Sequence, residues 1–172
     1  MLKKLGIMLV LLASVFTGCA KEEAKDTKVT VKYQIPDEWK EITVNKKTVK
    51  LVNGKNTVKI FIDKLADDSE TTSEEVIKGL KNQILGTMVK NKVDSDTYKI
   101  SKDIADVTIA EEEFKSISYL MNHKDTKVIQ NFYSAKIDNT LIRIDTISEN
   151  EDKEKEVVEL INKFEFKTVG EA

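Results

Sequence analysis

The sequence predicts an α+β domain: a largely antiparallel β-sheet flanked by helices. Three observations carry this. Apolar and polar residues alternate through most of the chain, as half-buried strands require. Only two stretches, one mid-chain and one near the end, repeat apolar residues at helical spacing. The order is strands, helix, strands, helix, with turn-forming pairs between strands and no crossover rhythm of a parallel sheet.

The chain begins with a segment outside that domain. Met1-Leu2-Lys3-Lys4 is basic, Leu5 to Phe16 is apolar or small throughout, and the charged run Lys21-Glu22-Glu23 follows closely. A basic head, a short apolar middle and a small-residue cut site make a secretory signal peptide. The apolar run is well short of the roughly 20 residues that a membrane-spanning helix needs.

Ala20 to Lys28 is polar and without aromatics, and reads as a flexible tether. The globular domain is expected over residues 29–168, with 169–172 as a frayed tail. Val29, Val31 and Tyr33 alternate with Thr30 and Lys32 as a first strand. Pro36-Asp37 is turn chemistry, after which Trp39, the only tryptophan, folds back onto the core. Val49 and Leu51, then Val58, Ile60 and Ile62, give two strands around Asn53-Gly54, a strong hairpin signal.

Thr72 and Glu75 fit a capping box at a helix start. Ile77, Leu80, Ile84 and Met88 form its apolar stripe, and its end is expected near residues 90–92. Gly79 and Gly86 weaken this helix by roughly 1 kcal/mol each relative to alanine, a loss that close packing onto a sheet would explain.

Asp94-Ser95-Asp96 is a turn. Tyr98–Ile100 and Ala105–Ile109 read as two short strands, and Glu111-Glu112-Glu113 as a charged turn. Phe114–Met121, Val128–Ala135 and Leu141–Ile147 follow as an antiparallel meander, turning at His123-Lys124-Asp125 and Asp138-Asn139. The first and third carry apolar residues on both faces, which a sheet covered on both sides explains. Ser148 or Asn150 caps a last helix, whose stripe is Val157, Val158, Leu160, Ile161 and Phe164. Phe164-Glu165-Phe166 adds a short strand.

Two resemblances sharpen this reading. Phe16-Thr17-Gly18-Cys19 resembles the lipobox of bacterial lipoproteins, where the cysteine thiol is diacylated and the chain is cut before it. Gly18 and Cys19 match, while Phe16 stands where the family usually carries leucine. The resemblance implies lipidation of Cys19, removal of residues 1–18, and a domain anchored outside the cytoplasmic membrane. The strand leading into Ile35-Pro36-Asp37-Glu38-Trp39, the Asn53-Gly54 hairpin, the helix capped at Thr72 and the late meander with its closing helix resemble the PsbP-like family. That likeness covers about residues 28–168. It implies an α/β/α sandwich and the role of an assembly or binding subunit, and it transfers no site residue.

Composition bounds the chemistry. The formal net charge is −2, and the mature part is slightly more acidic once Lys3 and Lys4 leave. Arg143 is the only arginine. Proteins that grip phosphates favour arginine's bidentate fork, so no nucleic-acid partner is expected. Cys19 is the only cysteine, which leaves the mature domain without a disulfide or a thiolate metal site. His123 is the only histidine and reads as a solvated turn residue. No His-Glu-x-x-His, Gly-x-Ser-x-Gly or phosphate-cradling glycine loop occurs. The acidic runs, such as Asp67-Asp68-Ser69-Glu70 and Asp94-Ser95-Asp96, lack calcium-loop spacing, so no metal or cofactor is expected.

Arg143 and Asp145 share a strand face with Leu141 and Ile147 and form either an ion pair or a ligand contact. Trp39 is a core anchor or, alternatively, a surface aromatic that grips a partner. The expected function is that of a binding or accessory module, held to the membrane by its lipid and meeting a protein partner in the cell envelope. A lipoprotein that captures a small ligand or peptide is the alternative, and a hydrolytic enzyme is the least favoured.

Overall fold

The computed structural model describes residues 27–45, 47–66, 68–123 and 126–170. The signal peptide, Cys19 and residues 20–26 of the tether lie outside them. In chain order the elements are β1 (Thr27–Lys32), β2 (Lys40–Asn45), β3 (Thr48–Asn53), β4 (Asn56–Lys64), α1 (Ser73–Lys90), β5 (Tyr98–Ile109), β6 (Glu112–His123), β7 (Thr126–Ile137), β8 (Thr140–Ser148), α2 (Glu151–Ile161) and β9 (Glu165–Gly170). The predicted α+β class holds.

Seven strands form one antiparallel sheet in the order β2-β3-β4-β8-β7-β6-β5. The remaining two, β1 and β9, pair antiparallel as a separate ribbon. One face of the large sheet is covered by that ribbon and by α2. Val58, Ile60, Phe114, Tyr133, Ile142 and Ile144 from this face pack with Val29, Val31, Trp39, Val157, Leu160 and Ile161 into the main core. Tyr33 and Phe164 rings meet at 5.5 Å at the end of the ribbon itself, and Phe114 of β6 meets Phe166 of β9 at 5.6 Å, which bolts the ribbon to the sheet. Among the described residues, α1 covers the other face over β5, β6 and β7. Ile77, 0% exposed, sits there among Ile117, Tyr119 and Phe132. Each such burial contributes about 1.5–3 kcal/mol.

Local sequence explains the helix starts. Thr72 Oγ1 accepts from Glu75 N–H at 3.2 Å, while Thr72 N–H donates to the Glu75 carboxylate at 2.9 Å, the reciprocal capping box. Asn150, not Ser148, caps α2, accepting from Lys153 N–H at 2.9 Å.

Five expectations about the elements and their packing, and one about a turn, need correction. First, β2 was not foreseen. Second, the two short strands after α1 are one twelve-residue strand, β5, interrupted by irregular register at Ile100–Ala105. Third, Gly79 and Gly86 do not mediate close packing, because a Cβ at either position would meet nothing within 4 Å. Fourth, Val169 and Gly170 are not frayed: they pair with Lys28 and Thr27, so the ribbon runs further than expected at both ends. Fifth, the face of β8 that carries Leu141 and Ile147 has no helix over it, since α1 stops at β7.

The predicted turn at Glu111-Glu112-Glu113 also falls elsewhere. Its central residues are Ala110 and Glu111, with φ of 49° and 70°. Two left-handed central residues are what a tight hairpin of this hand requires, and Asn-Gly is the pair that tolerates it best. Here the strained turn is held by Ala110 N–H, which donates to Asn162 Oδ1 at 3.4 Å. Replacing Ala110-Glu111 by Asn-Gly is expected to stabilise the protein by about 1 kcal/mol, since a left-handed L-residue costs roughly 1–2 kcal/mol. For a domain of this size, that is a Tm rise of roughly 2–4 °C in a thermal melt. A lowered Tm would show that the native pair is not strained.

Candidate functional site

The uncovered half of the α1-side face is built by β2, β3, β4 and β8. Strand register fixes its rows. Ile42, Lys50, Lys59 and Asp145 lie directly opposite one another in turn, and the row continues to Phe132 under α1. The adjacent row runs Thr48, Phe61, Arg143 and Ser134. A third runs Lys40, Val52, Thr57 and Ile147. The side chains that alternate with these, such as Leu51, Val58, Ile60 and Ile144, point into the main core.

At the centre, Arg143 lies with its guanidinium carbon 4.0 Å from the centroid of the Phe61 ring, a cation–π contact. Its Nη2 donates to Asp145 Oδ2 at 3.3 Å. Nε and Oδ1 are 3.0 Å apart but out of line for a hydrogen bond, so that second contact is electrostatic only. The pair is recessed, with side-chain exposures of 29% for Arg143 and 16% for Asp145. The structure thus joins the two residues that the alternation placed on one strand face.

Asp145 stands at the border of the covered half, opposite the apolar Phe132. Burial raises its carboxyl above the ordinary value, against the opposing pull of Arg143 and, more weakly, Lys59. A folded-state pKa above the unfolded one means that the protonated form favours the fold. That contribution is present below the ordinary carboxylate value and is lost as pH rises through the raised one. Asp145→Asn cannot titrate. Relative to this variant, wild-type Tm should therefore climb as pH falls from neutral through that window. A Tm difference independent of pH would remove the burial argument.

Trp39 is not part of this face. Its ring is 7% exposed and lies in the main core on the opposite side of the sheet, where burial suits the core-anchor reading. Cys19 lies outside the described residues, as do Lys124 and Asp125. His123 is the last residue of β6, and its backbone pairs with Thr126.

Lys50, Lys59 and Phe61 were not singled out from the sequence, although a signal exists. Two lysines stand at outward positions on either side of the Gly54-Lys55 turn, and an aromatic occupies a position that alternation assigns to the solvent side.

A second concavity lies at the N-terminal end of α1. This cleft of about 760 Å³ is lined by Glu74, Asp106, Glu113, Lys115, Lys136 and Phe114, with neighbouring backbone. It exceeds the roughly 300 Å³ of a small-ligand site, and its wall mixes these five charged residues with Phe114, Val107, Thr72, Ser73 and Thr108. Three of those charges pair within the cleft. Lys115 Nζ lies 2.5 Å from Asp106 and 3.8 Å from Glu74, and the hydrogen bond to Asp106 leads in raising its ammonium pKa. Lys136 Nζ donates to Ser69 O at 2.9 Å. Among the described residues, no three His, Cys, Asp or Glu side chains are grouped to hold a metal ion. No helix among them is long and apolar enough to cross a membrane.

No protein-family model matches the sequence, and no curated protein matches it. Solved structures do match. Cyanobacterial PsbP (CyanoP) from Synechocystis sp. PCC 6803 superposes with a TM-score of 0.56 at 10% identity, over 88% of this chain and 98% of that one. The fold is PsbP-like. LpqN, described as involved in cell envelope biogenesis of Mycobacterium tuberculosis, superposes at 0.54 with 10% identity, over 85% of this chain and 87% of that one. A protein of Bacteroides thetaiotaomicron VPI-5482 gives 0.54 at 13% identity, over 80% of this chain but only 45% of its own length. At such identities the likeness is one of PsbP-like architecture alone.

Proposed function

We propose that the chain is a lipid-anchored accessory module, displayed outside the cytoplasmic membrane and binding a protein of the cell envelope. The observation that carries this is the lipobox-like Phe16-Thr17-Gly18-Cys19 at the end of a signal peptide. Acylation would supply the membrane affinity, since one chain binds marginally and two bind stably. The PsbP-like fold supports the reading, because LpqN, a protein of that fold, is described as involved in cell envelope biogenesis. The open sheet face supports binding, and the self-satisfied ion pairs of the α1 cleft argue against a small-molecule site there.

Mass spectrometry of the processed N-terminus tests the anchor. The expected mature protein begins at Cys19 and carries acyl chains on its thiol. A mature end at any other residue, or an unmodified Cys19, would overturn the reading.

A further inference from the structure

We propose that the open half-face of the sheet, centred on Lys50, Lys59, Phe61 and Arg143, receives an acidic amphipathic segment of the partner protein. The proposal rests on the reading of the chain as a partner-binding module and deepens it by naming the surface and the chemistry that fits it.

Charge comes first. The face presents four cations, Lys40, Lys50, Lys59 and Arg143, and two carboxylates, Asp63 and Asp145. Arg143 holds Asp145, and Lys47 lies 3.4 Å from Asp63. Among the described residues, no carboxylate lies within 4.0 Å of the Lys40, Lys50 or Lys59 ammonium, although Lys59 faces Asp145 across β4–β8 and pulls on it from further off. Lys50 and Lys59 also lie directly opposite each other, and like charges facing across two strands destabilise a sheet. An acidic partner would relieve that repulsion. The patch is positive on a chain whose formal net charge is −2, so it marks out one face for an oppositely charged partner.

Apolar surface comes second. Ile42 is 50% exposed beside Lys50, and Val52, Phe61 and Ile147 are only partly buried. A segment with one apolar side and acidic flanks would cover these residues while its carboxylates reached the lysines.

Shape selects a protein segment over a bilayer. Four strands at about 4.8 Å spacing give a shelf roughly 19 Å wide, enough for one helix of about 10–12 Å diameter. Along one side of it, α1 stands on β5–β7 as a wall. The Arg143–Asp145 pair lies in the recess beside that wall, where a flat lipid surface cannot follow. On the covered half α1 fills this layer; on the open half a partner would.

Photo-crosslinking in the native host, with the full anchored chain, tests the proposal. A photoreactive residue is placed at Ile42, with one at Val89 on the outer surface of α1 (79% exposed) as control. The expected result is a protein adduct at Ile42 whose crosslinked peptide, sequenced by mass spectrometry, carries an excess of Asp and Glu. That adduct should fall at least tenfold with Lys50→Glu/Lys59→Glu and about threefold with Lys50→Gln/Lys59→Gln, and it should persist with Lys50→Arg/Lys59→Arg. The glutamine pair serves if the reversed pair fails to fold. Adducts confined to lipid, a protein adduct indifferent to both charge changes, or no adduct at Ile42 above that at Val89 would each overturn the proposal. Failure of the anchor reads out separately, as release into the soluble fraction.

Discussion

Replacing Cys19 with serine should abolish incorporation of a fatty-acid label, reducing it to background in cells fed an alkyne-tagged fatty acid. On the proposed reading no other single substitution changes membrane attachment as much, since among the described residues no helix is long and apolar enough to cross a membrane. Each buried methylene contributes about 0.8 kcal/mol, so a long second chain adds on the order of 10 kcal/mol to membrane binding. The apolar run before Cys19 is too short to span a bilayer stably, so an uncut precursor would be a poor replacement for the acylated form. The label reads the difference directly in the serine variant, whose uncut precursor has no thiol to acylate. A variant labelled as well as wild type, or a wild type never labelled, would remove the anchor from the account.

The second large effect lies in the core. Phe114 is 1% exposed, and its ring packs 5.6 Å from that of Phe166, across the seam between the sheet and the terminal ribbon. Phe114→Ala should cost about 3–5 kcal/mol, the range for an aromatic deleted from a packed site. Against a typical total of 5–15 kcal/mol, that threatens folding outright. Phe166 is less buried and should cost less when cut back. The two truncations together should cost less than their sum by about 0.5–1.5 kcal/mol, the coupling of a ring pair. Urea denaturation of the four forms measures this. Strict additivity would mean that the ribbon is not bolted to the sheet through these rings.

How much of this was readable in advance depended on whether local chemistry and burial agreed. They agree in the β3–β4 hairpin, where Gly54 carries the only left-handed φ among the described glycines, and in α1, where the Thr72–Glu75 box forms as spaced. They disagree in β2. There Ile42 and Val44 are about half exposed, while Glu41 shares the inward face with Leu51, so the alternation is inverted. Burial, with the Glu41 carboxylate nearby, raises the Tyr33 phenol as well, which shows how far a polar pair has entered the core edge. The long β5 was split because its register slips twice. The Ala110-Glu111 turn was misplaced because it has neither glycine nor asparagine, and tertiary contact with Asn162 holds it instead.

The candidate site shows the same division. Arg143 and Asp145 are two apart on one strand, so alternation alone could pair them. Lys50 and Lys59 face each other across the local β3–β4 hairpin, but Lys59 and Phe61 meet Asp145 and Arg143 only through the β4–β8 register, a link between distant parts of the chain that no local pattern encodes. Trp39 was read from the same local pattern, and burial assigned it to the core.

The terminal ribbon has a practical outcome for anyone wishing to watch this protein in a living cell. Thr27 pairs with Gly170, and Thr168 Oγ1 donates to Asp138 Oδ2 at 2.8 Å, so the outer ends of both ribbon strands lie beside the β7–β8 corner. On the proposed anchoring, a fluorescent tag fused behind residue 172 would crowd the lipidated end. Thr126, the first residue of β7, lies at the far end of a twelve-residue strand, roughly 40 Å from that corner at about 3.3 Å per residue, and a tag inserted before it would hang clear.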